Sequence, residues 1–209
     1  MALRTWKDLQ VDVPEGTVGA WTVDKWTPDP NDIHFQLENM RTPSRQILPG
    51  YIYTRLLRGN NPIMTDTPAE LGDLWAILHA VQELDEPTVL IHGLGLGCVM
   101  NGCFIDGASK VTVVEKEEDV IALVGPHWQE RYGDRLEIIH GDAFTWKPPK
   151  GARWDLVYHD IWDDLNTDNL KEMSKLHRRF GKRSGDQHSW CRPVLESKRR
   201  RQRRQPSYF

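Results

Sequence analysis

Three glycines spaced by two residues, directly after a short apolar run, constrain the fold of this chain most. Val89-Leu90-Ile91 leads into Gly93, Gly95 and Gly97, and an amphipathic stretch follows from Val99 to about Ile105. Glycine permits a tight turn and lets a ligand approach the backbone, because it has no Cβ. The N-terminus of a following helix adds free N–H groups and a partial positive charge. The pattern therefore predicts a strand, a glycine loop and a helix.

Strands and helices are predicted to alternate from this loop onward. The predicted strands are 88–92, 111–115, 136–139 and 155–159, and the predicted helices are about 97–106, 117–132 and 168–180. This alternation predicts a Rossmann-like, mostly parallel α/β sheet with helices on both faces. Three further strands are not visible after Phe180, so we expect a C-terminally shortened sheet of four or five strands, ordered 3-2-1-4. Its open edge needs a cover, from the N-terminal part, the Trp190 segment or a second subunit.

The first 62 residues predict a small β-containing appendage. β-like pieces lie within 17–26 and 51–57, and turn signals lie at 28–32 and 59–62. A single helix is predicted over 67–84, opened by a capping box at Thr67-Pro68-Ala69-Glu70. The predicted units are the appendage (1–62), the Rossmann-like domain (63–182) and a basic tail (183–209).

Composition and charge narrow the setting. No apolar run reaches 18 residues, the N-terminus lacks a signal-peptide core, and the three cysteines show no paired spacing. We therefore expect a cytoplasmic protein without a membrane span. The segment 175–209 carries a net charge of about +10 against about −13 for the remainder. Its KRRRQRR run (198–204) is interpreted first as a solvated, disordered terminus, and alternatively as a nucleic-acid-binding arm or a partner for the acidic body.

Acidic residues follow the second and third predicted strands. Glu115 lies twenty residues beyond Gly95, a spacing suited to hydrogen bonds with ribose hydroxyls, although a surface glutamate at a helix start is the alternative. Asp142 lies in Gly141-Asp142-Ala143, where a carboxylate can accept a hydrogen bond from an adenine amine, or simply cap a helix.

Three carboxylates follow the fourth predicted strand. Asp160, Asp163 and Asp164 can hold a cationic amine or accept a proton, and the alternative is a capped turn into the next helix. His159 is expected on the opposite face of the sheet, because neighbours on a strand alternate. Together, the four strand ends predict a site for an adenosine-containing ligand.

The order of these motifs resembles the class I S-adenosylmethionine-dependent methyltransferases, and within them the spermidine-synthase-like group, over roughly residues 51–165. The similar segments are LIHGLGLGCVM, VTVVEKEEDVIAL, LEIIHGDAFTW and WDLVYHDIWDD, preceded by the hairpin-and-helix segment YTRLLRGNNPIMTDTPAELGDL. The chain also looks like methyltransferase-like proteins of tailed bacteriophages.

The resemblance implies S-adenosylmethionine as the cofactor, no metal, and Asp160 as the catalytic residue. The implied cofactor-binding residues are Gly93, Leu94, Gly95, Gly97, Glu115, Lys116, Asp142, Ala143 and Asp160. The implied substrate-binding residues are Asp163 and Asp66. Polyamine synthases carry an aspartate inside the glycine loop, where this chain has Leu96, so aminopropyl transfer is disfavoured.

The predicted function is therefore methyl transfer to an unidentified small or macromolecular acceptor. Aminopropyl transfer is one alternative, and a non-catalytic adenosine-ligand-binding protein with a nucleic-acid-binding tail is another. The expected partners are the acceptor, nucleic acid through residues 198–204, and a second copy of the chain.

Overall fold

A computed structural model of the chain describes residues 5–41 and 47–204, which contain two sheets. The N-terminal sheet is antiparallel and its strands lie side by side in chain order: β1 (Gly16–Val18), β2 (Trp21–Trp26), β3 (Tyr53–Arg58) and β4 (Asn61–Thr65). The β-like pieces within 17–26 and 51–57 are confirmed. The predicted turn at 59–62 is wrong in its second half, because β4 begins at Asn61. Pro62 is tolerated there because β4 is an edge strand.

The second sheet is parallel and has five strands in the order β7-β6-β5-β8-β9. They are β5 (Thr88–His92), β6 (Lys110–Glu115), β7 (Leu136–His140), β8 (Trp154–His159) and β9 (Ser184–Ser189). The α/β architecture and the predicted order of the first four strands are confirmed. β9 is the addition: its SGDQHS sequence has no apolar run, because it lies at the sheet edge and pairs with β8 through its backbone.

Seven α-helices occur within the described ranges. They are α1 (Ile33–Arg41), α2 (Pro68–Gly72), α3 (Trp75–Gln82), α4 (Cys98–Ile105), α5 (Glu118–Tyr132), α6 (Asn169–Phe180) and α7 (Arg192–Arg204). Over these ranges, no helix combines the length and apolar character that crossing a membrane would require.

The helix predicted over 67–84 is interrupted between α2 and α3, and its capping box is wrong. The Glu70 carboxylate accepts hydrogen bonds from the Thr65 backbone N–H (2.8 Å) and hydroxyl (3.0 Å), and Thr67 makes no side-chain cap. Thr65 is the last residue of β4, so the Glu70 carboxylate is hydrogen-bonded to the end of this strand.

The C-terminal basic segment is helical over 192–204, so the interpretation of a disordered terminus is wrong there. Leu195 is buried against α6, and Arg192 pairs with Glu196 one turn on (3.0 Å). One apolar anchor and an i,i+4 pair support a helix that is otherwise almost entirely cationic. Residues 205–209 of the predicted tail lie outside the described residues.

Hydrophobic cores lie on both faces of the parallel sheet. On one face the sheet packs against α3, α4 and α5, and the antiparallel sheet joins this core through Trp21, Val23 and Leu56. On the other face, Leu90 and Val157 pack against Phe180 of α6. The antiparallel sheet contacts α5 and thereby lies beside the carboxyl edge of the parallel strands.

Candidate functional site

A cavity of about 660 Å³ lies at the carboxyl edge of the parallel sheet, next to the antiparallel sheet. Ligands of open α/β sheets bind at this edge. The predicted site residues that line it are Gly93, Leu94, Gly95, Glu115, Lys116, Asp142, Ala143, Asp160 and Asp163. The structure thus brings together residues from the ends of four strands, whereas Gly97 and Asp66 lie outside the cavity lining.

The glycine loop between β5 and α4 forms part of the cavity wall. Gly93 and Gly95 have φ values of 98° and 51°. A Cβ on Gly93 would collide with the Asp160 carbonyl oxygen, and one on Gly95 would lie 2.5 Å from Met64 Sδ. Glycine lets the loop pack closely against Asp160 and Met64, and both glycines line the cavity.

Gly97 acts on the loop from the side away from the cavity. Its φ is 83°, and a Cβ there would collide with the Trp128 indole. The same indole donates a hydrogen bond to the Leu96 carbonyl oxygen (2.9 Å). Leu96 itself is fully buried in the hydrophobic core. At position 96 the loop therefore directs an apolar side chain into the core, where a polyamine synthase has an amine-binding aspartate.

Glu115 connects the glycine loop to the loop after β6. Its Oε2 accepts a hydrogen bond from the Leu94 N–H (2.7 Å) and its Oε1 accepts one from the Glu117 N–H (2.8 Å). A carboxylate offers about four lone-pair sites, so about two remain for hydroxyl groups in the cavity. These two backbone bonds fix the orientation of the carboxylate before any ligand arrives.

Asp142 follows β7 and stabilises the turn after that strand, where no helix begins. Its Oδ1 accepts a hydrogen bond from the Phe144 N–H (2.7 Å), and its carbonyl oxygen accepts one from the Trp146 N–H (2.7 Å). Asp142 therefore caps a turn, and it lines the cavity as well. Ala143 is buried beside it.

Asp160 follows β8 and lines the cavity. Its N–H donates to the His92 carbonyl oxygen of β5 (2.9 Å). Burial, together with the negative charges of Glu70 and Asp73, raises the pKa of its carboxyl group to about 7. Asp160 therefore exchanges a proton near neutral pH, as a general base requires.

The two residues predicted to bind substrate have different surroundings. Asp163 pairs with Arg58 of β3 (3.1 Å) at the cavity rim, and both side chains are about half exposed. The structure does not bring Asp66 to the cavity. Its Oδ1 accepts from the Thr54 N–H (2.7 Å) and its Oδ2 from the Val11 N–H (3.2 Å), so it joins the N-terminal segment to β3. Burial raises the pKa of Asp66.

Sequence reasoning missed four aromatic residues that line the cavity, here called the aromatic lining: Trp21, Phe144, Trp162 and Trp190. Trp162 Nε1 donates to Glu172 (2.8 Å), and Trp190 Nε1 donates to Asp73 (3.3 Å). The four residues come from distant parts of the chain. The high tryptophan content is the one signal of these residues in the sequence, and it does not indicate which aromatic residues line the cavity.

The charge of the cavity is uneven. Carboxylates dominate on the side of β4, α2 and the loop after β8, where Glu70, Asp160, Asp163, Asp164 and Glu172 line it. The cations in the lining are Arg58, which pairs with Asp163, and Lys116 beside Glu115. This side therefore disfavours an anionic group and favours a neutral or cationic one.

No protein-family model matches the chain. Ribosomal RNA small subunit methyltransferase A of Afipia carboxidovorans is 34% identical over 107 residues, covering 51% of this chain and 36% of that protein. The protein of the same name from Bradyrhizobium diazoefficiens is 36% identical over 72 residues, covering 34% of this chain and 25% of that protein. The matches thus span only a minor part of the curated relatives. Neither is a polyamine synthase or a bacteriophage protein, so those two resemblances gain no support.

Solved structures overlap with the chain in part. A proposed RNA methyltransferase from Pyrococcus horikoshii has a TM-score of 0.46 at 15% identity, covering 63% of this chain and 62% of that one. A dimethyladenosine transferase from Plasmodium falciparum has a TM-score of 0.37 at 20% identity, covering 51% and 37%. The five-stranded parallel sheet with flanking helices is a Rossmann-like α/β fold, and over part of its length the chain is similar to ribosomal RNA small subunit methyltransferase A.

Proposed function

We propose that the chain is an S-adenosylmethionine-dependent methyltransferase that methylates a base of RNA. The observation that carries the proposal is that the glycine loop, Glu115, Asp142 and Asp160 line one cavity. Glu115 would accept hydrogen bonds from the ribose hydroxyls, and Asp142 would accept one from the adenine amine. When bound there, S-adenosylmethionine supplies a methyl group on a cationic sulfur.

Asp160 is the proposed catalytic residue. Methyl transfer needs an aligned acceptor and a group that accepts the acceptor's proton. The carboxyl group of Asp160 has a pKa of about 7, so near neutral pH a carboxylate form with raised proton affinity is available. It would hydrogen-bond the acceptor nitrogen and take its proton.

The acceptor half of the cavity fits a neutral, flat group with an amine. The aromatic lining offers ring faces on which a base can stack, and such stacking contributes about 1–3 kcal/mol of binding free energy for each base. The surrounding carboxylates would accept hydrogen bonds from an amine and repel phosphate. The names of the curated relatives support RNA as the source of such a base.

The last two turns of α7 provide a separate cationic surface for the RNA backbone. This α7 surface consists of Lys198, Arg199, Arg200, Arg201 and Arg203. Among the described residues, no ion pair joins these side chains to the acidic body, which weakens the alternative of internal pairing. α7 begins two residues after Trp190, so the proposal places the backbone of the same RNA at this surface when a base occupies the aromatic lining.

Transfer of a labelled methyl group tests this function. Incubation with labelled S-adenosylmethionine and a ribosomal RNA transcript should place the label in a methylated nucleoside after digestion. A parallel reaction uses decarboxylated S-adenosylmethionine labelled in its aminopropyl group, and label in an added polyamine would support the alternative of aminopropyl transfer, which the buried Leu96 disfavours. Donor binding without labelled product from either acceptor would favour a non-catalytic protein.

The α7 surface has its own test. Replacing Arg200 and Arg203 by Gln should lower the slope of log K against log salt by about 1.4–1.8, since each phosphate contact contributes about 0.7–0.9. The matched control replaces the exposed Lys147 and Lys150 by Gln. An equal loss of RNA affinity in both double variants would exclude a specific role for α7.

A further inference from the structure

Two histidines are buried directly behind the cavity. His92 ends β5 and His159 ends β8, and both are fully buried. Their rings are nearly parallel, 3° apart in plane with centroids 4.9 Å apart, and their Nδ1 atoms are 2.8 Å apart. At this distance one nitrogen must donate and the other must accept, so the two rings share one hydrogen between them.

Gln187 of β9 sets the direction of this hydrogen bond. Its Nε2 donates to the His177 carbonyl oxygen (3.0 Å), which leaves its Oε1 facing His159 Nε2 (3.2 Å). His159 must therefore carry its hydrogen on Nε2 and accept at Nδ1, and His92 must donate from Nδ1. His92 Nε2 is then a bare lone pair, which agrees with a buried atom that has no hydrogen-bond partner among the described residues.

This histidine chain, defined as Gln187, His159 and His92, links three neighbouring strands near their carboxyl ends. The residue that directly follows each strand lines the cavity: Gly93 after β5, Asp160 after β8 and Trp190 after β9. The Asp160 N–H donates to the His92 carbonyl oxygen (2.9 Å), and the Trp190 N–H donates to the His159 carbonyl oxygen (3.0 Å). Gly93 follows His92 directly, and none of the three chain members lines the cavity itself.

We propose that the histidine chain positions the cavity loops after β5, β8 and β9, so that Gly93, Asp160 and Trp190 keep their places only while its single tautomeric arrangement is intact. The three members are positioning residues. The tautomers stand on hydrogen-bond geometry alone, whereas the effect on donor binding rests on the proposed function.

The arrangement makes the cavity sensitive to acid. Burial lowers the pKa of His92 well below 6.5 and that of His159 to about 3. The charged or titratable groups facing them are Arg179 and His177 of α6 and Arg192 of α7, all of which disfavour another positive charge. A histidine that binds protons more weakly when folded contributes stability above its ordinary pKa of 6.5. That contribution is lost as the pH falls below 6.5.

Nitrogen-15 NMR of the imidazoles tests the tautomers directly. His159 should carry its hydrogen on Nε2 and His92 on Nδ1 in the free protein at neutral pH. The opposite arrangement in either ring would overturn the proposal, whether or not S-adenosylmethionine binds.

Gln187→Glu tests the positioning role. The new carboxylate would face His159 Nε2 and favour its protonated form, since a nearby opposite charge raises such a pKa by about 1–3 units. The midpoint of acid loss of S-adenosylmethionine affinity should therefore rise by about one pH unit or more. Gln36→Glu is the matched control, because Gln36 also donates to a backbone carbonyl (Pro30, 2.7 Å) and has no imidazole partner among the side chains that the structure describes. A Gln187→Glu profile identical to the control would contradict the proposal.

His92→Asn and His92→Leu complete the test. Asparagine keeps an N–H group near the position of Nδ1, so the affinity for S-adenosylmethionine should stay within about threefold of the wild type. Leucine leaves His159 Nδ1 unpaired, so it should lower the affinity for S-adenosylmethionine about tenfold or more. Equal affinity of the two variants would overturn the positioning role. If the wild type binds no S-adenosylmethionine, the proposed function fails. The pH dependence of thermal unfolding of Gln187→Glu then decides the positioning role, since an unchanged profile counts against it.

Discussion

The two halves of the cavity are built in different ways. The proposed donor half consists of the loops after β5, β6 and β7, which line the cavity with the glycine backbone, Glu115 and Asp142. Glu115 and Asp142 each accept from a backbone N–H two residues away, and Glu115 accepts a second hydrogen bond from the adjacent glycine loop. The acceptor half consists of side chains such as Trp21, Met64 and Trp190, which come from three distant segments. The donor half is thus encoded locally, and the acceptor half arises only from tertiary packing.

Asp160 belongs to both halves, so its substitution should give the largest effect on turnover. Asp160→Asn should lower kcat by about 10²–10⁴-fold, the usual contribution of a general base. The wild-type rate should fall as the pH drops through about 7, where this carboxyl group becomes protonated. Asp163→Asn is the control and should change kcat little, because its exposed pair with Arg58 contributes about 0–1 kcal/mol. Steady-state kinetics measure this, and an equal loss of kcat in both variants would contradict a distinct role for Asp160.

Gly93→Ala should have the next largest effect, on stability. The added Cβ would collide with the Asp160 carbonyl oxygen, and alanine is strained at a φ of 98°. The free energy of unfolding should fall by about 2–4 kcal/mol in urea melts, from strain and overpacking combined. Gly107→Ala separates the two causes, because Gly107 has a φ of 105° but open space around it. An equal loss at both positions would show that the collision contributes nothing.

Glu115→Gln probes the donor half by removing the charge and by turning an amide NH2 group towards one of the two backbone N–H groups that Glu115 binds. The affinity for S-adenosylmethionine should fall by about 1–3 kcal/mol, because hydrogen bonds to a charged carboxylate are lost. Glu117→Gln is the neighbouring control, as this residue also lines the cavity. Calorimetry that gives wild-type affinity for Glu115→Gln would remove Glu115 from the donor site.

Trp190→Ala probes the acceptor half and should give the smallest effect. The KM for an RNA acceptor should rise by the equivalent of about 1–2 kcal/mol from lost stacking, and Trp190→Phe should restore most of it. Donor affinity should stay the same. A selective loss of donor affinity would mean that the two halves are not separable.

The same contrast explains what the sequence could predict. β5 to β8 and their acidic strand ends follow from apolar runs and spacing, because each is a local pattern. β9 was not predicted because its sequence is polar, and it is held in the sheet by backbone bonds to β8 and by Gln187. The place of Trp190 in the cavity lining was not predicted either, since no local signal indicated that this residue follows a strand. α7 was missed because a cationic run is typical of solvated chain, and only the burial of Leu195 shows that it packs.

Calorimetric titration of the wild-type chain with S-adenosylmethionine tests the central claim, that the carboxyl edge holds an adenosine-containing methyl donor. Parallel titrations with decarboxylated S-adenosylmethionine and a nicotinamide dinucleotide define its specificity. We predict saturable binding of S-adenosylmethionine with a Kd of roughly 1–100 μM, near −8 to −5 kcal/mol, and weaker binding of both analogues. Absence of binding at millimolar concentration, or preference for the dinucleotide, would contradict the account.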